Sequence, residues 1–155
     1  MTAQMTEQPR LDAVDCRDLL VPFDGSRGAE RVLRRACRAA RRDGDSVAVL
    51  CMVHIPADDD TAGWADPDLD RTAMSALAQA QAICREEGVV GGVFKLNFAR
   101  DFADAIVAEA RRSGSLLICM SLDEYADEEE SRSVLMSATV QSVLADAPCS
   151  VLLEE

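Results

Sequence analysis

Glycine runs out early in this chain. Gly114 is the last of eight, and nothing from Ser115 to Glu155 is glycine, so no loop there can adopt positive φ cheaply or bring bare backbone against a ligand. Histidine is scarcer still. His54 stands alone with no nucleophile motif beside it, which argues against a histidine-based triad and predicts a structural role at a strand end. Long apolar runs are also missing. No segment approaches the roughly 20 apolar residues of a membrane span, and the opening MTAQMTEQPRLDAVDCR has no signal-peptide core, so a cytoplasmic protein is expected. Basic charge is in deficit, with 16 Lys and Arg against 28 Asp and Glu. The net charge of -12 and pI near 4.4 repel phosphates and anionic headgroups, so neither nucleic acid nor membrane is expected as a partner. Finally, the six cysteines, at 16, 37, 51, 84, 119 and 149, fall one per element, unlike a zinc or thioredoxin-like site. They read as small buried hydrophobes that stay reduced; an exposed redox-sensing thiol is the rival reading.

What is present fits one globular domain. A chain of 155 residues, 48% hydrophobic and 28% charged, can bury a core; residues 1–16 are polar enough to fray as a tail and 17–155 form the domain. DLLVPFD, residues 18–24, reads as a short buried strand, and GSRG turns into a helix whose apolar face is Ala29, Val32, Leu33, Ala36, Cys37 and Ala40. Arginines 27, 31, 34, 35, 38, 41 and 42 lie mostly on its other side, and Gly44 ends it. SVAVLCMVHI, 46–55, is a continuous β-rich run of the kind buried on both faces of a parallel sheet. Asp66 and Pro67 suit the N-cap and first position of a second helix, which carries Leu69, Ala73, Ala76, Leu77, Ala80, Ile83 and Cys84 on one side and stops at Gly88. VVGGVFKLNF alternates Phe94, Leu96 and Phe98 against Lys95 and Asn97, as a half-exposed edge strand does. Asp101 caps a third helix that Gly114 terminates. LLICM, then VLMSATVQSVLADA stopped by Pro148, then CSVLL complete the order βαβαβαβαβ.

That order predicts a three-layer α/β/α fold with a parallel five-stranded sheet. In such sheets ligands bind beyond the C-terminal strand ends where strand order reverses, here Asp24–Ser26, His54–Asp60 and Ser121 onward.

Four stretches in this order resemble the universal stress protein family: LLVPFDGS at 19–26, CMVHI at 51–55, DFADAIVAEA at 101–110 and SVLADAPCSVLL at 142–153. The resemblance implies strand order 3-2-1-4-5, the architecture of adenine nucleotide alpha hydrolase-like proteins, and a homodimer built through the last strand. It implies that Asp24 stands where the family contacts adenine and Ile55 at a hydrophobic position beside it. The structural reading of Asp24 is that it caps the first helix. Trp64 would cover the same pocket, stacked on a base or packed as a hydrophobic lid.

Members that bind ATP carry Gly, two residues, Gly, nine residues, then Gly with Ser or Thr, whose backbone N–H groups form an anion nest. Here the first two glycines fall on Ser121 and Glu124, and the third on Ser137, followed by Ala138. Sixteen positions separate Ser121 from Ser137 where the motif has thirteen. Carboxylates fill the gap: Asp123, Glu124, Asp127, Glu128, Glu129 and Glu130. Unit charges about 8 Å apart in water repel by roughly 0.5 kcal/mol, so six against a triphosphate could cost several kcal/mol. Micromolar affinity is worth only about 8 kcal/mol.

The loop has three readings: a solvated charge run, a surface for a basic partner protein or for the arginine stripe of a neighbouring copy, or a site for Mg²⁺ or Ca²⁺. The carboxylates at 58–60, 66, 68 and 70 do not make a calcium loop, since Pro67 intrudes and Arg71 stands where glycine is needed. The expectation is a non-enzymatic stress-response or regulatory homodimer with a degenerate nucleotide site, no cofactor and no structural metal. The alternative is a member that binds ATP with Mg²⁺ held by the acidic loop, with weak ATPase activity.

Overall fold

The computed structural model describes residues 18–55, 67–122 and 138–154. The chain alternates β1 (Leu19–Phe23), α1 (Arg27–Asp43), β2 (Val47–His54), α2 (Pro67–Glu86), β3 (Val93–Ala99), α3 (Phe102–Ser113), β4 (Leu117–Ser121), α4 (Ala138–Asp146) and β5 (Ser150–Glu154). All pairings are parallel, and the sheet order is β3-β2-β1-β4-β5, as expected. Helices α1 and α2 pack together on one face, and α3 with α4 on the other, giving three layers.

The central strands are buried on both faces, which is why they read as unbroken apolar runs: every residue of β1 is buried, and all of β2 except His54. Leu20, Phe23, Leu50, Ile106, Ile118 and Met120 are among its largest fully buried side chains. The predicted face of α1 is buried in full, together with Gly28. On α2 the small residues Ala73, Ala76 and Ala80 are buried with Ile83 and Cys84, while Leu77 packs partly buried against the core.

Helix ends follow local chemistry. Asp101 caps α3 by accepting from the Asp104 N–H at 3.0 Å. Gly44 takes φ 77 at the end of α1 and its N–H closes on the Ala40 carbonyl. One expectation is corrected. Strand β3 is an edge strand, but its alternation is not clean, because Leu96 is the exposed residue while Lys95 and Asn97 are half-buried. Helix α2 runs to Glu86 and ends at Gly88, as expected: Gly88 takes φ 80, and the Val89 N–H closes on the Cys84 carbonyl.

Candidate functional site

Pro22 sits in the middle of the sheet, where a missing N–H has a consequence. Asp18 uses its carbonyl to accept from the Leu117 N–H of β4, whereas Leu19 donates its N–H toward β2, to Ser46. Alternation along the strand turns residue 22, like residue 18, toward β4. Proline has no hydrogen to give there. Pairing of β1 with β4 accordingly covers only Leu19↔Leu117 and Leu20↔Ile118, while β1 and β2 stay paired through Phe23↔Cys51. The β1–β4 ladder is therefore short at its C-terminal end, on the side of the sheet where strand order reverses and α/β proteins hold ligands.

Asp24 stands at the end of β1. Its Oδ1 accepts from the Ser26 N–H at 3.0 Å, and Ser26 in turn caps α1 by accepting from the Ala29 N–H at 3.2 Å. The cap of α1 is therefore Ser26, and the expectation that Asp24 performs that role is corrected: Asp24 holds the turn, with Gly25 at φ 86 between them. Burial pushes the Asp24 carboxyl above its usual range, opposed only in part by its bonds to Ser26.

A cavity of about 520 Å³ opens beside this turn. Asp24 and Gly25 form one wall; Asp68, Thr72, Ser75, Ala76 and Gln79, one face of α2, form the other, with Arg71 at the edge. Arg71 is bound to Asp68 at 2.7 Å, and the Thr72 hydroxyl donates to the Asp68 carbonyl. The walls thus present carboxylates at Asp24 and Asp68, one guanidinium at Arg71, the Ser75 and Thr72 hydroxyls and the Gln79 amide, a polar lining of mixed charge. From sequence, Asp68 and Arg71 bear only on a calcium loop and Ala76 only on the apolar face, and Thr72, Ser75 and Gln79 are not singled out. Their signal is the polar run Asp68, Thr72, Ser75, Gln79 at helical spacing.

The other expected site residues are placed as follows. Ile55 is buried, and its N–H extends the β2–β3 ladder by donating to Ala99. Ser121 is buried at the end of β4, paired with Glu154 of β5. Neither lines the cavity. Ser137, Trp64 and the carboxylates Asp123, Glu124, Asp127, Glu128, Glu129 and Glu130 lie outside the described residues. His54 packs edge-on against Phe102, ring centroids 5.8 Å apart, a structural contact of the expected kind.

The arginines of α1 are engaged within the chain. Arg34 reaches Glu30, Glu86 and Glu87, Arg38 reaches Glu87, and Arg35 reaches Glu154 of β5. Among the described residues, no group of three His, Cys, Asp or Glu side chains is arranged to hold a metal ion, and no helix is long and apolar enough to cross a membrane.

Comparison with known proteins agrees with this geometry. The sequence profile of the Universal stress protein family matches residues 16–153. The fold is similar to that of a universal stress protein from Archaeoglobus fulgidus, 24% identical, with a TM-score of 0.70 over 90% of this chain and 93% of that one. It is similar to a universal stress protein from Archaeoglobus fulgidus in complex with dAMP, 23% identical, TM-score 0.67, over 90% and 98% of the chains. A universal stress protein in complex with cAMP is 16% identical, with a TM-score of 0.70 over 90% and 97%. No curated protein matches the sequence. With the profile spanning residues 16–153 and the strand order in place, this chain belongs to the universal stress protein family.

Proposed function

We propose that this universal stress protein is a non-enzymatic, cytoplasmic regulatory module of the stress response that works as a homodimer and does not bind ATP at micromolar concentration. The observation that carries the reading is the connection from β4 to α4, which leaves the buried Ser121 and reaches Ala138 without a glycine and with six carboxylates. Without glycine the backbone lacks the cheap route to a nest of N–H donors, and the carboxylates repel phosphate. Pairing through β5 is supported by its place at the sheet edge and by Leu152, 43% exposed on it. A basic protein partner for the acidic loop completes the proposal.

One observation favours a second reading. Asp24 lines a cavity large enough for a nucleoside, and two relatives of the same fold are complexes with dAMP and cAMP. On that reading the chain binds an adenine nucleotide, with Mg²⁺ on the oxygen-rich loop offsetting the phosphate charge. Protein purified without added nucleotide, then denatured and its supernatant analysed for adenine compounds, separates the two. The first reading expects none; a stoichiometric nucleotide with Mg²⁺ favours the second.

A further inference from the structure

Two cysteines that are 47 positions apart in sequence meet across the α1–α2 contact. Sγ of Cys37 on α1 lies 3.6 Å from Sγ of Cys84 on α2 and donates to it. Both are buried, and Cys51 of β2 is buried beside Cys84. A disulfide needs about 2.05 Å between sulfurs, so roughly 1.5 Å of closure separates the dithiol from the bond. We propose that Cys37 and Cys84 form a buried dithiol that a hydroperoxide closes to an intramolecular disulfide, clamping α1 to α2.

The hydrogen bond divides the work. It raises the pKa of the Cys37 thiol, as burial does, and lowers that of Cys84 against the opposing effect of burial, so Cys84 is the proposed attacking sulfur. Cys84 sulfur attacks the peroxide oxygen, the O–O bond breaks, and one water leaves with a sulfenic acid formed on Cys84. Cys37 sulfur then attacks that sulfur; the S–O bond breaks, and the departing hydroxide takes the Cys37 proton as a second water. Two thiols and one peroxide become one disulfide and two waters. Burial selects the oxidant, since a molecule of water's size can enter when the helices part briefly and a bulky disulfide cannot. The clamp reaches the cavity, because Gln79 and Ser75 stand on α2 within three turns of Cys84.

Full-length protein, first fully reduced, is exposed to hydrogen peroxide, denatured, alkylated with N-ethylmaleimide and digested with trypsin. The expected result is loss of two of the six alkylatable thiols and a dithiothreitol-reversible cross-link between peptides 36–38 and 72–85. Cys37→Ala and Cys84→Ala each abolish that cross-link, and Cys149→Ala, at a half-buried thiol, leaves it. Recovery of both peptides fully alkylated after Cys149 has been oxidised overturns the proposal. So does a cross-link found only between molecules, or sulfinic acid on Cys84 with Cys37 still free. Peptide mapping of the unsubstituted protein decides the matter even if a variant fails to fold.

Discussion

Ionising Asp24 in the folded protein carries a cost. Its folded pKa is raised by burial, so the native state binds a proton more tightly than the unfolded chain. Stability from this group is fully present below the unfolded value and is lost as pH rises through the folded one. Asp24→Asn keeps an oxygen for the Ser26 N–H and removes the charge. The urea midpoint of the variant should gain on the parent between about pH 4 and pH 7. A variant that loses ground over that interval would show the carboxylate to be stabilising. Glu87 has the opposite sign: the guanidinium of Arg38, with that of Arg34, holds its carboxyl below the usual range. Its contribution is present above the unfolded value and lost as pH falls through the folded one. Glu87→Gln should therefore lower the urea midpoint at pH 7 and converge on the parent under acid; a constant difference would place the effect in packing rather than charge.

At the scale of elements, the caps carry measurable energy. Asp101→Ala removes the acceptor for the Asp104 N–H and should cost about 1 kcal/mol. Gly44→Ala meets no atom within 4 Å, so its cost is the left-handed backbone alone, about 1 kcal/mol. Urea unfolding of both variants checks these values, and a neutral Gly44→Ala would mean that the turn relaxes. The elements were legible because their signals are local: Asp101 and Gly114 bracket α3, and the apolar face of α1 recurs at helical spacing. The site was less so. Asp24 as the cap of α1 is what composition suggests, but Ser26 lies nearer the first free N–H groups and takes that role. Pro22 is a mark in the sequence of where the β1–β4 ladder is cut short, since a proline inside a strand has no N–H to donate. Cys37 and Cys84 could not be paired by reading along the chain, because their contact depends on how α1 and α2 lie side by side.

For the whole molecule, the proposed homodimer would pair through β5, which lies at the sheet edge and exposes Leu152. Light scattering at tens of micromolar should give twice 16.8 kDa, and Leu152→Asp should halve the mass; a monomeric parent would refute the pairing. On the proposed function, a universal stress protein whose β4–α4 connection carries six carboxylates and no glycine does not take a triphosphate. Isothermal titration of the unmodified protein with ATP, in the absence of Mg²⁺, tests this most directly. No binding heat should be seen at low micromolar ATP, where a complex would require about 8 kcal/mol of binding free energy. A one-to-one complex at that concentration would contradict the account.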